Sequence, residues 1–431
     1  MAEQKPEEPK VSRRQFVAGT IGGLAVGALA GYAGGISSVP AGVTREVTTT
    51  ATATETATGP PKRIKAGFIY VGPVGDFGWT FGHDRGRKYV QEKIPWLDTV
   101  YAESVAEAEA AGPIDKMIAD GADIVFTTSF GYMDPTIAAG ERHPDKTFWH
   151  CSGYRRSKNV GTYFAEFYQL YYLCGLAAGA MNKTGKIGYV AAHPIPEVVR
   201  HINAFVLGAR QINPKIEASV VWLFSWFDPG KTRDAAVSLV ESQNADVLAY
   251  TEDSPTTLQV AQEYQDKGRP VFSFSHYSDM TNYGPKAHLT GQVVEWGLLY
   301  DYILSKLYAG TGRPEDLWSR IGDGIGYRVK LPPEKSTAEA VEATFETMPG
   351  QTDWYDNVVH LAPVNPAIPD QYRSLILQRY EEMKEMLFEP FTGPIKDQDG
   401  NVRFEAGQRA THDDLWGMNW FVEGITSKMP T

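Results

Sequence analysis

The sequence predicts an α/β fold with parallel β-sheets, divided into two domains. From Ile64 onward, short strand-like segments alternate with helix-like segments, which is the pattern of parallel strands joined by helices. At 431 residues the chain is too long for one compact core, so a second domain is expected. The first unit, Ile64 to Val90, runs from a strand through a glycine-rich loop into a helix. Ligands of open α/β sheets bind at such loops, beyond the carboxyl ends of the strands.

Local patterns define the expected elements. The residues at 167–181 repeat apolar side chains at helical spacing and predict an amphipathic helix with one buried stripe. Pro113 predicts that the helix near residues 105–120 is broken or starts late. Strands are predicted at residues 65–71, 100–104, 123–128, 146–150, 160–164, 186–191, 218–224, 246–251 and 270–275.

The N-terminal region predicts export. Arg13 and Arg14 precede an apolar run rich in Gly and Ala, so residues 1–36 are typical of a twin-arginine signal that is either cleaved or retained as an anchor. No cysteine directly follows that run, which excludes a bacterial lipoprotein. Residues 37–61 are dominated by Thr, Ala, Ser, Val and Pro and predict a disordered linker. The globular part is therefore expected outside the cytoplasm, tethered at or near the outer face of the cell membrane.

Composition excludes several classes of function. A formal net charge of −11 argues against nucleic acid as a partner, because such surfaces need clustered Lys and Arg. Cys151 and Cys174 form neither a disulfide framework nor a zinc signature, and both are expected to be buried. The glycines after the first strand miss the dinucleotide spacing, and the segment Gly179 to Lys186 departs from the phosphate-loop pattern. The sequence therefore predicts neither a metal nor a cofactor.

Three later loops place an acidic or hydroxyl residue directly before proline. These residues, Asp134, Asp228 and Ser254, are well suited to cap the helix that follows. Capping does not require an aromatic residue nearby, yet Phe130 and Trp226 precede two of these helices. Both a capping role and a ligand-binding role therefore remain open for these loops.

Aromatic and acidic side chains in the strand-end loops predict a binding site. Carboxylates at helix N-termini occupy positions that would otherwise attract anions, so the ligand should be neutral and rich in hydrogen-bond donors. Aromatic rings offer stacking worth about 1–3 kcal/mol per base. Core packing is the alternative for any one ring. The candidates are the carboxylates of Asp76, Asp253 and Asp279 and the rings of Trp79, Phe130 and Trp226.

Catalysis is not predicted. The sequence presents no serine elbow, Cys-His pair or metal-ligand set that would serve an enzyme. His83, His193 and His276 are expected to be hydrogen-bonded residues of loops near strand ends. The alternative in the enzyme class is a nucleoside hydrolase or glycosidase that uses Asp76 and Asp253 as paired carboxylates.

Several segments together resemble a known family. These are GFIYVGPVGDFGWTFGHDRGR, FTTSFGYMDP, NVGTYFAEFYQLYYLCG, KTGKIGYVAA, SWFDPGK, FSHYSDM, FEPFTGPIKDQDG and MNWFVEG. They are similar to the basic membrane protein (PnrA-like) family, the solute-binding proteins of ABC importers, from about Lys62 to Gly424. Residues 337–369 fit the family poorly.

The resemblance implies a type I periplasmic-binding-protein fold of two Rossmann-like lobes joined by three crossover hinges. The first lobe would comprise residues 62–164 and 283–311, and the second residues 165–282 and 312–431. The implied partners are a purine nucleoside or base and the permease subunits of an ABC importer, and the protein is expected to be a monomer.

The family pattern also assigns roles to side chains. Trp79 and Trp226 would sandwich the purine, one from each lobe, while Asp253 and Asp279 would bind ribose hydroxyls or the base edge. The loop from Asp76 to Thr80 lacks the asparagine of the commoner pattern, which favours adenosine or adenine; a simple sugar is an alternative ligand. The ligand-binding residues implied in this way are Asp76, Phe77, Trp79, Phe130, Met133, Trp226, Asp253, Ser254 and Asp279.

Overall fold

The computed structural model describes residues 62–322 and 358–430. The expected export signal (1–36) and linker (37–61) lie outside these residues, as does most of the segment 337–369. Among the described helices, none has both the length and the apolar character needed to cross a membrane.

The first sheet is parallel throughout. Its strands lie in the order β11-β5-β4-β3-β1-β2. Their bounds are β1 Ile64–Ile69, β2 Leu97–Ala102, β3 Ile124–Thr127, β4 Thr147–Cys151, β5 Val160–Ala165 and β11 Asp316–Ser319. The helices that join or cover these strands are α1 Trp79–Lys93, α2 Ala111–Ala119, α3 Met133–Arg142 and α8 Trp296–Tyr308.

The second sheet consists of two three-stranded groups, β7-β6-β8 and β12-β10-β9. A parallel bridge between Val247 and Phe272 joins the two groups. The strands are β6 Lys186–Ala191, β7 Glu217–Trp222, β8 Val247–Tyr250, β9 Ser273–Tyr277, β10 His288–Val294 and β12 Val359–Leu361, and only β12 is antiparallel to its neighbour. The helices are α4 Phe167–Met181, α5 Pro196–Ile212, α6 Pro229–Glu241, α7 Thr256–Asp266 and α9 Asp370–Lys384.

The strand order defines two lobes. We call the first lobe residues 62–165 and 295–319, and the second lobe residues 166–294 and 358–384. Among the described strands of these two sheets, the sheet to which consecutive strands belong changes three times along the chain, between β5 and β6, between β10 and β11, and between β11 and β12. Three crossings are what the predicted type I periplasmic-binding-protein fold requires.

The expected lobe boundaries near Tyr283 and Thr311 need correction. β10 lies in the second sheet because its backbone pairs with β9, and β11 lies in the first sheet because it extends the parallel ladder beyond β5. The return to the first lobe therefore comes after Val294, and the last departure comes after Ser319.

The C-terminal segment, residues 385–430, contacts both lobes. It contains a short hairpin, β13 Ile395–Lys396 and β14 Val402–Phe404, and the helix α10 His412–Trp416. Ile425 forms a parallel bridge to Ala218 at the edge of the second sheet. The Trp416 ring lies 5.3 Å from that of Trp318 in β11 of the first lobe.

The helix α4 has the predicted bounds but not the predicted amphipathic character. Every residue from Phe167 to Ala180 is buried, so the helix has no solvent face. The helix α5 packs against it so closely that a Cβ added at Gly208 would lie 2.1 Å from the Tyr172 carbonyl oxygen. Glycine at this position lets the two backbones approach, and the pair forms the centre of the largest hydrophobic cluster.

The predicted helix caps are correct in one case of three. Asp228 caps α6, because its Oδ1 accepts a hydrogen bond from the Lys231 backbone N–H at 3.0 Å. The helix α3 starts at Met133, so Asp134 lies inside its first turn. Ser254 lies two residues before α7, where its hydroxyl accepts a 3.3 Å hydrogen bond from the Thr256 N–H.

Two smaller predictions are confirmed. The helix α2 starts late, with Pro113 in its first turn, where proline removes no intrahelical hydrogen bond. Cys151 and Cys174 are both buried and free.

A candidate ligand cavity between the lobes

A cavity lies where the carboxyl ends of the strands of both lobes meet. The first lobe lines it with Val71, Trp79, Ser129, Phe130 and Ser152. The second lobe lines it with Glu197, Trp226, Asp253 and Tyr277. Each of these residues ends a strand or belongs to the loop or first helical turn that follows one, which is where open α/β sheets bind ligands.

The two lobes touch around this cavity. The hydroxyl of Ser278 in the second lobe donates a 2.6 Å hydrogen bond to the Phe77 carbonyl oxygen in the first. A Cβ added at Gly78 would lie 2.9 Å from the Cα of Asp253. The structure therefore holds the lobes closed, with Gly78 at the tightest backbone contact between these loops.

Two tryptophans line the cavity in different ways. Trp79 is 6% exposed, its indole N–H donates to the Thr128 carbonyl, and its ring lies edge-on to Tyr277 at 5.0 Å. Trp226 is partly buried, with its ring 4.8 Å from that of His193. Its buried indole N–H has no hydrogen-bond partner among the described residues. The Trp79 ring is therefore held in place as part of the cavity wall, whereas the Trp226 indole N–H remains free to donate a hydrogen bond to a ligand.

Asp76 binds its own loop and lies outside the cavity lining. It is fully buried, and its carboxylate accepts hydrogen bonds of 2.9 Å from the backbone N–H groups of Gly78, Thr80 and Phe81. Burial raises the pKa of Asp76 to about 6, while these hydrogen bonds lower it. The oxygens therefore hold the turn that starts α1, and the role of Asp76 as a ligand acceptor stays a prediction.

Four other candidates also lie outside the lining. Phe77 is 39% exposed and packs against the rings of Phe81 and Tyr283. The hydroxyl of Ser254 donates to Glu252 at 3.0 Å. Asp279 is exposed and accepts a 2.9 Å hydrogen bond from the Thr281 N–H. Met133 is buried at the start of α3.

Four of the sequence candidates do come together: Trp79, Phe130, Trp226 and Asp253 all line the cavity. The other five lining residues were not predicted as site residues: Val71, Ser129, Ser152, Glu197 and Tyr277. A weaker signal existed for Glu197, because it directly follows the helix-starting Pro196 after the correctly predicted strand β6 and lies in the first turn of α5. The other loops were singled out by an acidic or hydroxyl residue before proline, and Glu197 comes after it.

Buried carboxyl groups dominate the electrostatics of the second-lobe wall. Burial raises the pKa of Asp253 well above its usual range, and the charges of Asp76, Glu252 and Glu197 raise it further. Burial likewise raises the pKa of Glu252 to about 8. Because the nine lining residues include no Lys, Arg or His, the cavity offers no cation to an anionic ligand.

The three histidines do not form a catalytic set. His83 lies within α1, stacked on Trp296 at 4.5 Å, and His276 lies within β9, so neither is the loop residue that was expected. Burial lowers the pKa of both imidazoles well below the usual value. His193 does lie in a loop, beside Trp226.

Comparison with known proteins decides the family. Residues 63–326 match the family described as ABC transporter substrate-binding protein PnrA-like. The chain belongs to this family. Its members are extracytoplasmic binding proteins and not enzymes. The predicted family, and the prediction of a binding protein rather than an enzyme, are both confirmed.

Relatives span most of the chain. A purine-binding protein of Brucella abortus is 38% identical over 371 residues, which cover 86% of this chain and 95% of the relative. A putative ABC transporter glucose-binding protein of Haloferax volcanii is 37% identical over 262 residues, which cover 61% of this chain and 66% of that protein.

Solved structures share the architecture. An ABC transporter solute-binding protein of Aeropyrum pernix aligns with a TM-score of 0.61 at 15% identity, covering 83% of this chain and 98% of the other. Such a likeness shows the fold alone, and it agrees with the predicted type I periplasmic-binding-protein fold.

Proposed function

We propose that this protein is the substrate-binding protein of an ABC importer and that its lobes close on a purine nucleoside or purine base, with adenosine as the favoured ligand. The observation that carries this proposal is the cavity itself, in which four aromatic rings and two carboxyl groups converge without a cationic side chain. Flat rings stack on a purine, and carboxyl groups satisfy its N–H and hydroxyl groups.

The charge of the cavity lining supports a neutral ligand. A nucleotide is disfavoured because its phosphate would meet buried carboxyl groups. The Brucella relative named as a purine-binding protein gives further support.

A simple sugar is the second candidate. The Haloferax relative is named as a putative glucose-binding protein at 37% identity, and an aromatic wall with carboxyl groups also suits a sugar ring. Titration calorimetry with adenosine, guanosine, adenine, ribose and glucose separates the two candidates. We expect heat with the purines and none with the sugars, and glucose binding without purine binding would overturn the proposal. Incubation with adenosine should release no free adenine, as expected of a binding protein.

We further propose export through the twin-arginine route, with residues 37–61 as a tether at or near the outer face of the membrane and permease subunits as partners. The sequence around Arg13 and Arg14 supports this route. Replacing both residues with Lys should leave the protein in the cytoplasmic fraction, while the unaltered chain reaches the outside of the cell. Unchanged export of the double variant would contradict the proposal.

A further inference from the structure

Glu197 is the acidic residue of the cavity that the sequence did not single out. It lies in the first turn of α5, lines the cavity, and is 3% exposed. A buried carboxylate is costly unless hydrogen bonds and nearby charges compensate for the lost water. Its surroundings in the structure show how much of that compensation the protein provides.

Both oxygens of Glu197 are partly satisfied. The Ser152 hydroxyl donates to Oε2, and the Tyr277 hydroxyl donates to Oε1 at 3.2 Å. Burial raises the pKa of Glu197 above its usual value, and the charge of Arg200, one turn further along α5, partly opposes this rise. A carboxylate has about four acceptor positions. Two hydroxyl donors therefore leave about two of them for a ligand.

The neighbours of Glu197 indicate which part of a ligand reaches it. Tyr277, which holds Oε1, lies edge-on to Trp79 with 5.0 Å between the rings. A flat heterocycle stacked on the Trp79 ring would turn its edge toward this carboxylate. The donors on the edge of a purine are ring and exocyclic N–H groups.

We propose that Glu197 is a specificity-determining residue of the cavity, and that its carboxylate accepts a hydrogen bond from an N–H group of the ligand's heterocycle. This inference rests on the proposed purine function and deepens it. Ser152 and Tyr277 are positioning residues, because they act on the ligand through Glu197.

The hydrogen bond from Ser152 also connects recognition with closure. Ser152 follows β4 in the first lobe, whereas Glu197 belongs to the second lobe. The hydroxyl of Ser152 reaches the carboxylate only while the lobes touch. In the closed state the ligand N–H and the Ser152 hydroxyl therefore both donate to the Glu197 carboxylate. Ligand binding stabilises the closed state, and the closed state stabilises ligand binding.

A thermodynamic cycle tests this contact. Calorimetry of the full chain and of Glu197→Gln would use adenine, 9-methyladenine and N6,N6-dimethyladenine, since the two analogues each lack different N–H donors. We expect adenine to bind Glu197→Gln about 10- to 100-fold more weakly, as for a lost hydrogen bond to a charged group. At least one analogue should bind the unaltered protein more weakly than adenine by a similar factor. In Glu197→Gln the ratio between the affinities for adenine and for that analogue should shrink to about threefold or less. The substitution and the missing N–H group of the analogue remove the same hydrogen bond.

Controls separate this role from a structural one. Ser152→Ala should weaken binding of all three compounds while keeping the preference among them. Glu389→Gln, which alters a buried carboxylate remote from the cavity lining, should bind all three as the unaltered protein does. Adenine discrimination that persists in Glu197→Gln, or analogues that bind the unaltered protein as tightly as adenine, would overturn the inference while leaving the purine function intact. If the unaltered protein binds no purine, the proposed function fails as well.

Discussion

Trp79 and Trp226 face the same cavity from different lobes, but the side chains around them differ. Trp79 is buried among the rings of Tyr277, Trp296 and His83, and its indole N–H is bonded to a carbonyl. Trp226 has only the His193 ring as an aromatic neighbour among the described residues. Trp79 therefore contributes to the core as well as to the cavity.

Substitution should separate these roles. Trp226→Ala is expected to weaken purine binding by about 5- to 150-fold, the equivalent of about 1–3 kcal/mol of stacking, with little effect on stability. Trp79→Ala should weaken binding similarly and also lower the free energy of unfolding by about 3–5 kcal/mol. Calorimetry and urea denaturation measure the two effects. Trp96→Ala, which removes a partly buried ring stacked on Tyr308 outside the cavity, should leave purine affinity unchanged. Full affinity in both cavity variants would refute the aromatic sandwich.

Buried carboxyl groups should make stability depend on pH. Burial raises the pKa of Asp76 to about 6 and that of Glu252 to about 8. The folded state therefore holds protons that the unfolded state releases near pH 4, and stability is lost as the pH rises from about 4 to 8. We expect the free energy of unfolding to fall by an amount on the order of 3 kcal/mol between pH 5 and pH 8.

The variant Glu252→Gln identifies the main source of this effect. The amide cannot ionise, so the fall in the free energy of unfolding between pH 5 and pH 8 should be smaller by more than half. Urea denaturation at the two pH values measures it. The same pH dependence in the variant as in the unaltered protein would show that Glu252 is not responsible.

At the scale of elements, the contact of α4 with α5 depends on glycine. A Cβ added at Gly208 would lie 2.1 Å from a carbonyl oxygen of the facing helix, whereas one added at Gly112 in α2 would have no heavy atom within 4 Å. Gly208→Ala should therefore lower the free energy of unfolding by about 1–3 kcal/mol, because the two backbones must separate. Gly112→Ala should raise it by about 0.5–1 kcal/mol through helix propensity. Equal effects of the two variants in urea denaturation would contradict the close contact.

Local signals explain which elements the sequence could predict. The strand β6 and the helix α4 were predicted with their observed bounds, because glycine or polar residues flank continuous apolar runs there. The strands β10, β11 and β12 were missed. Each depends on pairing with residues far away in the chain, as β11 does with β5. The complete burial of α4 was also unpredictable, since the elements that remove its solvent face, among them α5, β10 and α9, lie elsewhere in the chain.

Local signals also explain which cavity residues the sequence could predict. Aromatic residues in exposed-looking loops have few local roles, so Trp226 and Phe130 pointed to the site from sequence alone. Acidic residues near helix starts have a local role as well as a ligand role, and the sequence cannot separate the two. Asp76 proved to bind backbone N–H groups, while Glu197, in a similar position, faces the cavity. Only the direction of the side chain distinguishes them.

At the scale of the whole molecule, the C-terminal segment contacts both lobes. Arg200 of α5 lies among the rings of Phe164, Trp318 and Trp416, at 5.0–5.3 Å from each ring centre. Two of these rings belong to the first lobe and one to α10. Cation–π contacts of a buried guanidinium thus tie both lobes to the C-terminal segment near the crossings.

Closure of the lobes should depend on Gly78. A methyl group at this position would lie 2.9 Å from Asp253 Cα and 3.0 Å from its carbonyl carbon, and backbone atoms of the opposite lobe can yield only if the lobes move apart. Gly78→Ala should therefore weaken purine binding by about 5- to 150-fold, the cost of about 1–3 kcal/mol of overpacking, and should leave the ligand-bound protein more open. Gly75→Ala is the matched control in the same loop, since a Cβ there would meet no heavy atom within 4 Å. Calorimetry gives the affinities, and small-angle X-ray scattering with saturating ligand gives the radius of gyration. A Gly78→Ala protein that binds and compacts like the control would show that this backbone contact does not limit closure.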